Sequence, residues 1–241
     1  MKLSVTIPVY NEAQILEECI GKLNAFLKAK KYDYEIIIAD NASTDETKKT
    51  AEKLCKKYKK ARYIKLKEKG RGRALKKAWN SSNADILCYM DSDLATDLNN
   101  LPELYSAIKS GYDIAIGSRL IKGAKVKRTF FREILSRGYN LLLRTILKAH
   151  FRDAQCGFKA VSKRTLRDII PKVKDNEWFF DTEMLVLAEK KGFRIKEIPV
   201  SWNEEGRVKK KEGKKERKSK VKIFGTILNY LKSIERMRRI N

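Results

Sequence analysis

The chain has 241 residues, with 55 Lys and Arg against 30 Asp and Glu, a formal net charge of +25. An apolar content of 42% excludes a disordered polyelectrolyte, and no run reaches the ~18 apolar residues that would cross a bilayer. The charge predicts polyanionic partners (nucleic acid, an acidic membrane face or phosphorylated small molecules) or else a heavily solvated surface.

Residues 2–9 read as a strand that begins almost at Met1, so no secretory leader is expected. Residues 12–30 follow as a helix with Ile15, Leu16, Cys19, Ile20, Leu23, Phe26 and Leu27 on one side. Residues 35–39 form a continuous apolar strand, and 44–60 a basic helix opened by Ser43 or Thr44, with Asp45 and Glu46 in its first turn. Strands at 62–66, 84–90 and 112–117 alternate with helices near 73–81 and 101–109. This is the rhythm of a parallel, doubly wound α/β sheet. Residues 119–152 carry ten cations against Glu133 alone, with a helix predicted over 132–148. A strand at 157–161, a helix at 180–191 and a strand at 193–200 follow. Residues 207–222, with ten basic and two acidic residues, read as a flexible loop. A last amphipathic helix begins at Ile223, its apolar positions running through Tyr230, Leu231 and Ile234. The predicted division is therefore 1–206, 207–222 and 223–241. Cys19, Cys55, Cys88 and Cys156 have no paired spacing and read as reduced packing residues.

In an open α/β sheet, ligands bind beyond the carboxyl ends of the strands. There the first strand runs into Pro8-Val9-Tyr10-Asn11-Glu12, the second into Asp40-Asn41-Ala42-Ser43-Thr44-Asp45, and the fourth into Asp91-Ser92-Asp93. Carboxylates one residue apart repel each other unless a cation lies between them. A hard divalent ion, Mg²⁺ or Mn²⁺, suits oxygen ligands and commonly holds substrate phosphate as well. Alone, Asp-x-Asp is a weak signal; beside two similar loops it gains weight. His150 is the single histidine and reads as structural, and no Ser-His-Asp or Cys-His set is available.

These motifs, with Lys69-Gly70-Arg71-Gly72 between them, resemble family 2 glycosyltransferases in order and spacing. Gly117-Ser118-Arg119, the helix with Arg132, Ser136 and Asn140, Asp153 through Lys159, Phe180-Asp181-Thr182-Glu183 and Ile198 through Trp202 narrow the likeness to polyprenyl-phosphate (dolichyl-phosphate) glycosyltransferases. It runs from residue 3 to about residue 206. The resemblance implies a glycosyltransferase A-type fold, a Rossmann-like, mostly parallel sheet with helices on both faces. It implies that Pro8, Tyr10 and Glu12 line the nucleotide base and that Asp40 holds base or ribose. Lys69 and Arg71 lie in a Gly-spaced loop where cations can approach phosphate, although alone that glycine pair is only a turn. Asp91 and Ser92 would face the nucleotide, with Asp91 and Asp93 on the metal. Ala95 stands where mannosyl members often carry a Gln, which leaves donor and metal shell open.

On the acceptor side the matching residues are Arg119, Arg132 and Ser136, the last two one helical turn apart. A lipid phosphate is already anionic and needs capture more than deprotonation. The implied reaction is in-line attack of that phosphate on the sugar's anomeric carbon, with inversion. Asp181 and Glu183 either orient sugar hydroxyls or charge the start of their helix. Asp153 supports the same pocket, Lys159 either supports it or lies on the surface, and Trp202 either flanks the donor or packs. In the loop, Arg207, Lys209 or Lys210 closes over the diphosphate, or the segment is a solvated tail. The C-terminal helix lies on an anionic membrane, packs on the core or binds a partner. The resulting expectation is a peripheral enzyme at the cytoplasmic membrane face, using UDP-glucose or GDP-mannose. Two alternatives stand beside it. One is a family 2 enzyme with a protein, saccharide or glycolipid acceptor. The other is a nucleic-acid-binding module, disfavoured because residues 207–222 hold no aromatic for stacking.

Overall fold

A computed structural model describes residues 1–204 and the helical backbone that follows to 239, with side chains from 229 onward. The basic segment 207–222, with Arg207, Lys209 and Lys210, lies outside the described residues. In chain order the elements are β1 (Leu3–Val9), α1 (Ala13–Ala29), β2 (Tyr34–Asp40), α2 (Thr47–Lys57), β3 (Ala61–Lys65), α3 (Arg71–Asn80), β4 (Ile86–Met90), α4 (Leu101–Lys109) and β5 (Ile114–Ser118). They continue with β6 (Lys125–Lys127), α5 (Phe130–Ile146), β7 (Phe158–Ser162), α6 (Lys163–Asp168), α7 (Phe180–Lys190), β8 (Ile195–Pro199), β9 (Ser201–Asn203) and α8 (Ile223–Arg238).

Seven strands form one sheet in the order β3-β2-β1-β4-β7-β5-β8. The expected parallel pairing holds for β1 with β2 and β4, β2 with β3, and β5 with β8. The exception is β7, which enters between β4 and β5 and runs antiparallel to both. Alternate strand residues feed the two faces. Leu3, Val5, Ile7, Ile36, Ile38, Ile86, Cys88 and Phe158 pack under α1, α2 and α4. Leu87, Tyr89, Ile114, Ile116 and Val161 pack with Leu75 and Trp79 of α3, Leu143 of α5, most of α7, and Ile234 and Met237 of α8.

Several boundaries depart from expectation, each for a local reason. The basic helix starts at Thr47, and neither Ser43 nor Thr44 caps it; Asp45 accepts from the Thr47 amide at 3.0 Å. Ser43 and Thr44 are engaged instead by Asn11, whose amide donates to Ser43 Oγ and whose Oδ1 accepts from the Thr44 amide. The predicted strand at 193–200 breaks after Pro199, and its continuation, β9, pairs with β6 as a separate two-stranded ribbon. Helix α5 begins at Phe130, before the anticipated Arg132. The ribbon and α6 had no sequence signal strong enough to announce them. All four cysteines are free, and three are buried. No helix among the described residues is long and apolar enough to cross a membrane.

Of the fates open to the last helix, its described side chains take the packed one. Tyr230 stacks against Tyr139 and Phe179, Ile234 and Met237 are buried, and Arg236 pairs with Glu183 at 2.7 Å.

Helix α3 reaches the sheet edge by pressing Gly72 onto α7. A methyl group at Gly72 would lie 2.6 Å from the Phe180 Cβ, close to backbone that cannot step aside. Alanine's helix preference is worth up to ~1 kcal/mol, and overpacking costs ~1–3 kcal/mol. Gly72→Ala is therefore expected to destabilise the fold by about 1–2 kcal/mol. Urea unfolding checks this, and an unchanged or higher midpoint would contradict the packing.

Candidate active site

The carboxyl ends of β1, β2 and β4 lie side by side, with Val9 opposite Asp40 and Thr6 opposite Tyr89. Each exit loop turns through a left-handed, non-glycine residue: Asn11 (φ 53°), Ala42 (φ 60°) and Leu94 (φ 51°). Such conformations cost of order 1 kcal/mol or more and persist where the surroundings enforce them. Here the enforcement is hydrogen bonding between loops. The Glu12 amide donates to Thr47 Oγ1 at 2.8 Å, and the Gly70 amide to Asn41 Oδ1 at 2.6 Å.

The expected nucleotide residues divide. Tyr10 keeps partial exposure and carries Lys69 Nζ over its ring at 4.3 Å, and Pro8 is half-buried beside it in sequence. Glu12 and Ser92 are both buried. Asp40 is fully buried, accepting from the Ser43 amide at 2.8 Å and the Tyr63 hydroxyl at 2.6 Å. Burial and that carboxylate together push the Tyr63 phenol upward. In this arrangement both Asp40 oxygens are engaged in shaping its loop.

Arg71, the first residue of α3, is the hub. Its guanidinium reaches Asp91 Oδ1 at 2.8 Å and Asp181 Oδ2 at 3.8 Å. It also lies between the rings of Tyr89 and Trp178, at 5.1 and 5.2 Å from their centroids. Burial alone would lower its pKa, but Asp91, Tyr89 and Asp181 raise it, so the charge is fixed. Asp181, in the first turn of α7, accepts a hydrogen bond from the Tyr89 hydroxyl and forms an ion pair with Lys159 Nζ at 3.1 Å. Lys159 is fully buried and also donates to the Tyr89 hydroxyl and the Cys156 carbonyl. The surface alternative for Lys159 is thus corrected. The side chain sits on a central strand and neutralises Asp181. Burial pushes the Cys156 thiol up to about 12, which leaves it a packing group.

Beneath Asp91 the backbone of Gly157 approaches so closely that a methyl there would overlap the carboxylate. Asp93 accepts from the Ala95 amide at 3.1 Å. Among the described residues, no cluster of three or more His, Cys, Asp or Glu is arranged to hold a metal. A pair of hard carboxylates on one strand exit, cradled by glycine, fits Mg²⁺ or Mn²⁺. Such ions often take only one or two protein carboxylates, the rest of the shell being water and substrate phosphate.

On the neighbouring flank Arg119 grips Asp153 with Nε at 2.8 Å and Nη2 at 2.9 Å, while its backbone amide donates to the same carboxylate. Trp202 covers the guanidinium at 5.5 Å. Burial would raise the Asp153 pKa, but the Arg119 charge and hydrogen bonds hold it below the ordinary value. Arg132 and Ser136, expected on one face, meet different surroundings. Arg132 is half exposed and pairs with Glu204 at 2.8 Å; the Ser136 hydroxyl is buried with no described partner. Asn140 latches α5 to the Asp153 loop by accepting from the Ala154 amide at 2.9 Å. Glu183 holds the amides of Lys174 and Asp175 and the Arg236 side chain. His150 is structural through its backbone amide, which Glu189 accepts. Sequence reasoning missed Tyr89, Trp178 and Gly157. A tyrosine inside an otherwise aliphatic strand was the available hint for the first.

Residues 4–170, more than half the chain, match the family model described as glycosyl transferase family 2. The chain belongs to that family. Among curated relatives of this family 2 glycosyltransferase, it is 40% identical over 215 residues to glycosyltransferase AglD of Haloferax volcanii, covering 87% of this chain and 34% of that protein. It is 36% identical to a dolichyl-phosphate β-glucosyltransferase of Dictyostelium discoideum (84% and 66% covered) and 33% identical to a dolichol-phosphate mannosyltransferase of Pyrococcus furiosus (98% and 64% covered). The chain therefore spans from about a third to just under two thirds of these relatives. A solved structure of glucosyl-3-phosphoglycerate synthase from Mycobacterium tuberculosis with Mn²⁺, UDP and phosphoglyceric acid shares the fold, with a TM-score of 0.69 at 17% identity, covering 98% of this chain and 78% of that one.

Removing one member of a buried ion pair strands the other. Asp153→Asn is expected to cost about 3–5 kcal/mol at neutral pH, measured by urea unfolding. The folded carboxyl titrates below its unfolded value, so the contribution is complete above pH ~4 and fades as the pH falls further. The gap between wild type and variant should narrow there; a gap constant down to acid pH would refute the pair's role.

Proposed function

We propose that this chain is the catalytic unit of an inverting hexosyltransferase, moving a hexose from a nucleotide sugar to a polyprenyl (dolichyl) phosphate. The observation that carries this reading is the nearness of two charge systems at one end of the sheet, where Asp91 acts on the charge of Arg119. The Asp91–Asp93 pair with Arg71 forms the donor side, and Arg119, Arg132 and Ser136 stand on the acceptor side. The named glucosyl and mannosyl relatives support the acceptor class.

In this reading Tyr10 and Lys69 meet the nucleotide, and Arg71 stands where negative charge develops on the departing diphosphate. Asp91 and Asp93 would hold Mg²⁺ or Mn²⁺, which when bound supplies charge neutralisation at the diphosphate. Arg132 is the exposed cation that captures the acceptor phosphate, and the buried Ser136 hydroxyl is a donor within the same turn. A phosphate oxygen then attacks the anomeric carbon as its bond to the diphosphate oxygen breaks, inverting that centre. UDP-glucose is the preferred donor: Ala95 is buried and offers no side-chain ligand beside Asp93. The four free cysteines accord with a reducing compartment, hence the cytoplasmic face of a membrane.

Asp93→Ala and metal removal by EDTA should each lower transfer at least ~100-fold, a loss typical of removing preorganised charge stabilisation. Transfer unaffected by both would overturn the reading. Arg132→Ala should raise the acceptor KM about tenfold, as expected for one lost charge-assisted hydrogen bond, while the UDP-glucose thermal shift stays the same. In an acceptor panel, transfer to peptide or saccharide but not to polyprenyl phosphate would favour the other acceptor class. A larger thermal shift with GDP-mannose than with UDP-glucose would reassign the donor.

A further inference from the structure

A lysine buried on an inner strand of the sheet needs a reason that packing does not supply. Lys159 has no exposed surface and stands directly opposite Tyr89 across the β4–β7 ladder, with Ile116 of β5 on its other side. The neighbours on that face are mostly apolar, among them Leu87, Ile114 and Val161. Replacing a buried ion pair by apolar groups of similar volume is often neutral or stabilising, so stability alone does not account for pairing Lys159 with Asp181 here.

The contacts of the ammonium point to another duty. Its three N–H groups form a tetrahedral array, and three oxygens surround it. Nζ donates to the Tyr89 hydroxyl at 3.1 Å and to the Cys156 carbonyl at 2.5 Å, and pairs with Asp181 Oδ1 at 3.1 Å. The Tyr89 hydroxyl donates to the same Asp181 oxygen, and Oδ2 is left facing Arg71 Nε at 3.8 Å. The Cys156 carbonyl belongs to the peptide leading into Gly157, whose backbone underlies Asp91. Asp91 in turn holds Arg71 Nη2. One buried ammonium thus supports both carboxylates that grip Arg71, Asp181 directly and Asp91 through the Cys156–Gly157 peptide.

We propose that Lys159 is a positioning residue of the transfer reaction, setting the place of Arg71 at the departing diphosphate through Asp181 and the Cys156–Gly157 peptide. This rests on the proposed function, in which Arg71 meets that leaving group. Lys159 itself need not touch the substrate. Its effect belongs to the transition state: donor binding spreads over base, sugar and metal, whereas charge on the leaving oxygen grows only as the bond breaks.

Lys159→Met keeps the length of the side chain and removes its three donors. With UDP-glucose, Mn²⁺ and a polyprenyl phosphate, kcat should fall between ~10- and ~100-fold, the range for losing a partner that orients a functional group from behind. The donor KM should stay within about threefold of wild type. The stoichiometry of UDP binding with Mn²⁺, read by calorimetry, should be unchanged, so that the loss is not one of folded protein. Tyr89→Phe keeps the ring beside Arg71 and removes the hydroxyl between Lys159 and Asp181. It should lower kcat about tenfold, and stands in should Lys159→Met fail to fold. In an Arg71→Met background either substitution should cost less than about threefold, because the group being positioned has gone. The proposal is overturned by a folded Lys159→Met or Tyr89→Phe enzyme with the kcat of wild type, by losses that multiply in full with that of Arg71→Met, or by a UDP stoichiometry that falls in step with kcat. Turnover on a saccharide or peptide but not on polyprenyl phosphate overturns the functional reading alone, and the same variants are then compared on that acceptor.

Discussion

Arg71 sits between Asp91 and Asp181, with an aromatic ring on each side and Lys159 closing the circuit behind Asp181. The buried members, Arg71, Lys159 and Asp181, survive as a set, because the desolvation of each is offset by its neighbours. With Asp91, the set draws one member from α3, one from the loop after β4, one from β7 and one from α7. Those four elements are consequently fixed relative to one another. The glycines at 72 and 157 belong to the same constraint, since each lets one partner approach where a side chain would hold it off. What looks like a local ion pair is the joint at which the two halves of the sheet are aligned.

The overall charge of +25 acquires a geography. Residues 119–152 hold ten cations and one acid, and much of that charge borders the exposed side of α5. The carboxylates, by contrast, gather where strands end. A basic molecule with an acidic edge attracts anions over its surface but can admit them at that edge only with compensating cations. Among the described residues Arg71 and Lys69 are cations of that kind at the site, and a divalent ion would add to them.

Much of this was legible in the sequence because it is local. Alternation and helical spacing announced β1 to β5 and their helices, and the three acidic loops fell at strand ends as the fold class requires. What stayed hidden depends on distant residues. A lysine between Phe158 and Ala160 reads equally well as an outward-facing strand residue; only the insertion of β7 between β4 and β5 buries it against Tyr89 and Asp181. The resemblance assigned Asp40 to the base or ribose, and nothing in the sequence signalled that Tyr63, 23 residues away, would donate to it. Ser43 looked like a cap, and Asn11 had already engaged it. Short polar side chains serve many geometries, and spacing does not say which one wins.

The antiparallel strand has a consequence for the order of assembly. β1, β2 and β3 can pair progressively as neighbours, each closure spanning a few tens of residues, while β1 meets β4 over a longer one, with Leu3 opposite Ile86. Lys159 meets Tyr89 across 70 residues and Asp181 meets it across 92, so these contacts wait on long loop closures. β7 cannot slot between β4 and β5 until both edges exist. During synthesis Arg71 and Asp91 therefore emerge first, and Lys159 and Asp181 arrive from the trailing half of the chain. A nascent chain halted before residue 159 would carry Asp91 and Arg71 but lack the lysine and the aspartate that complete their circuit.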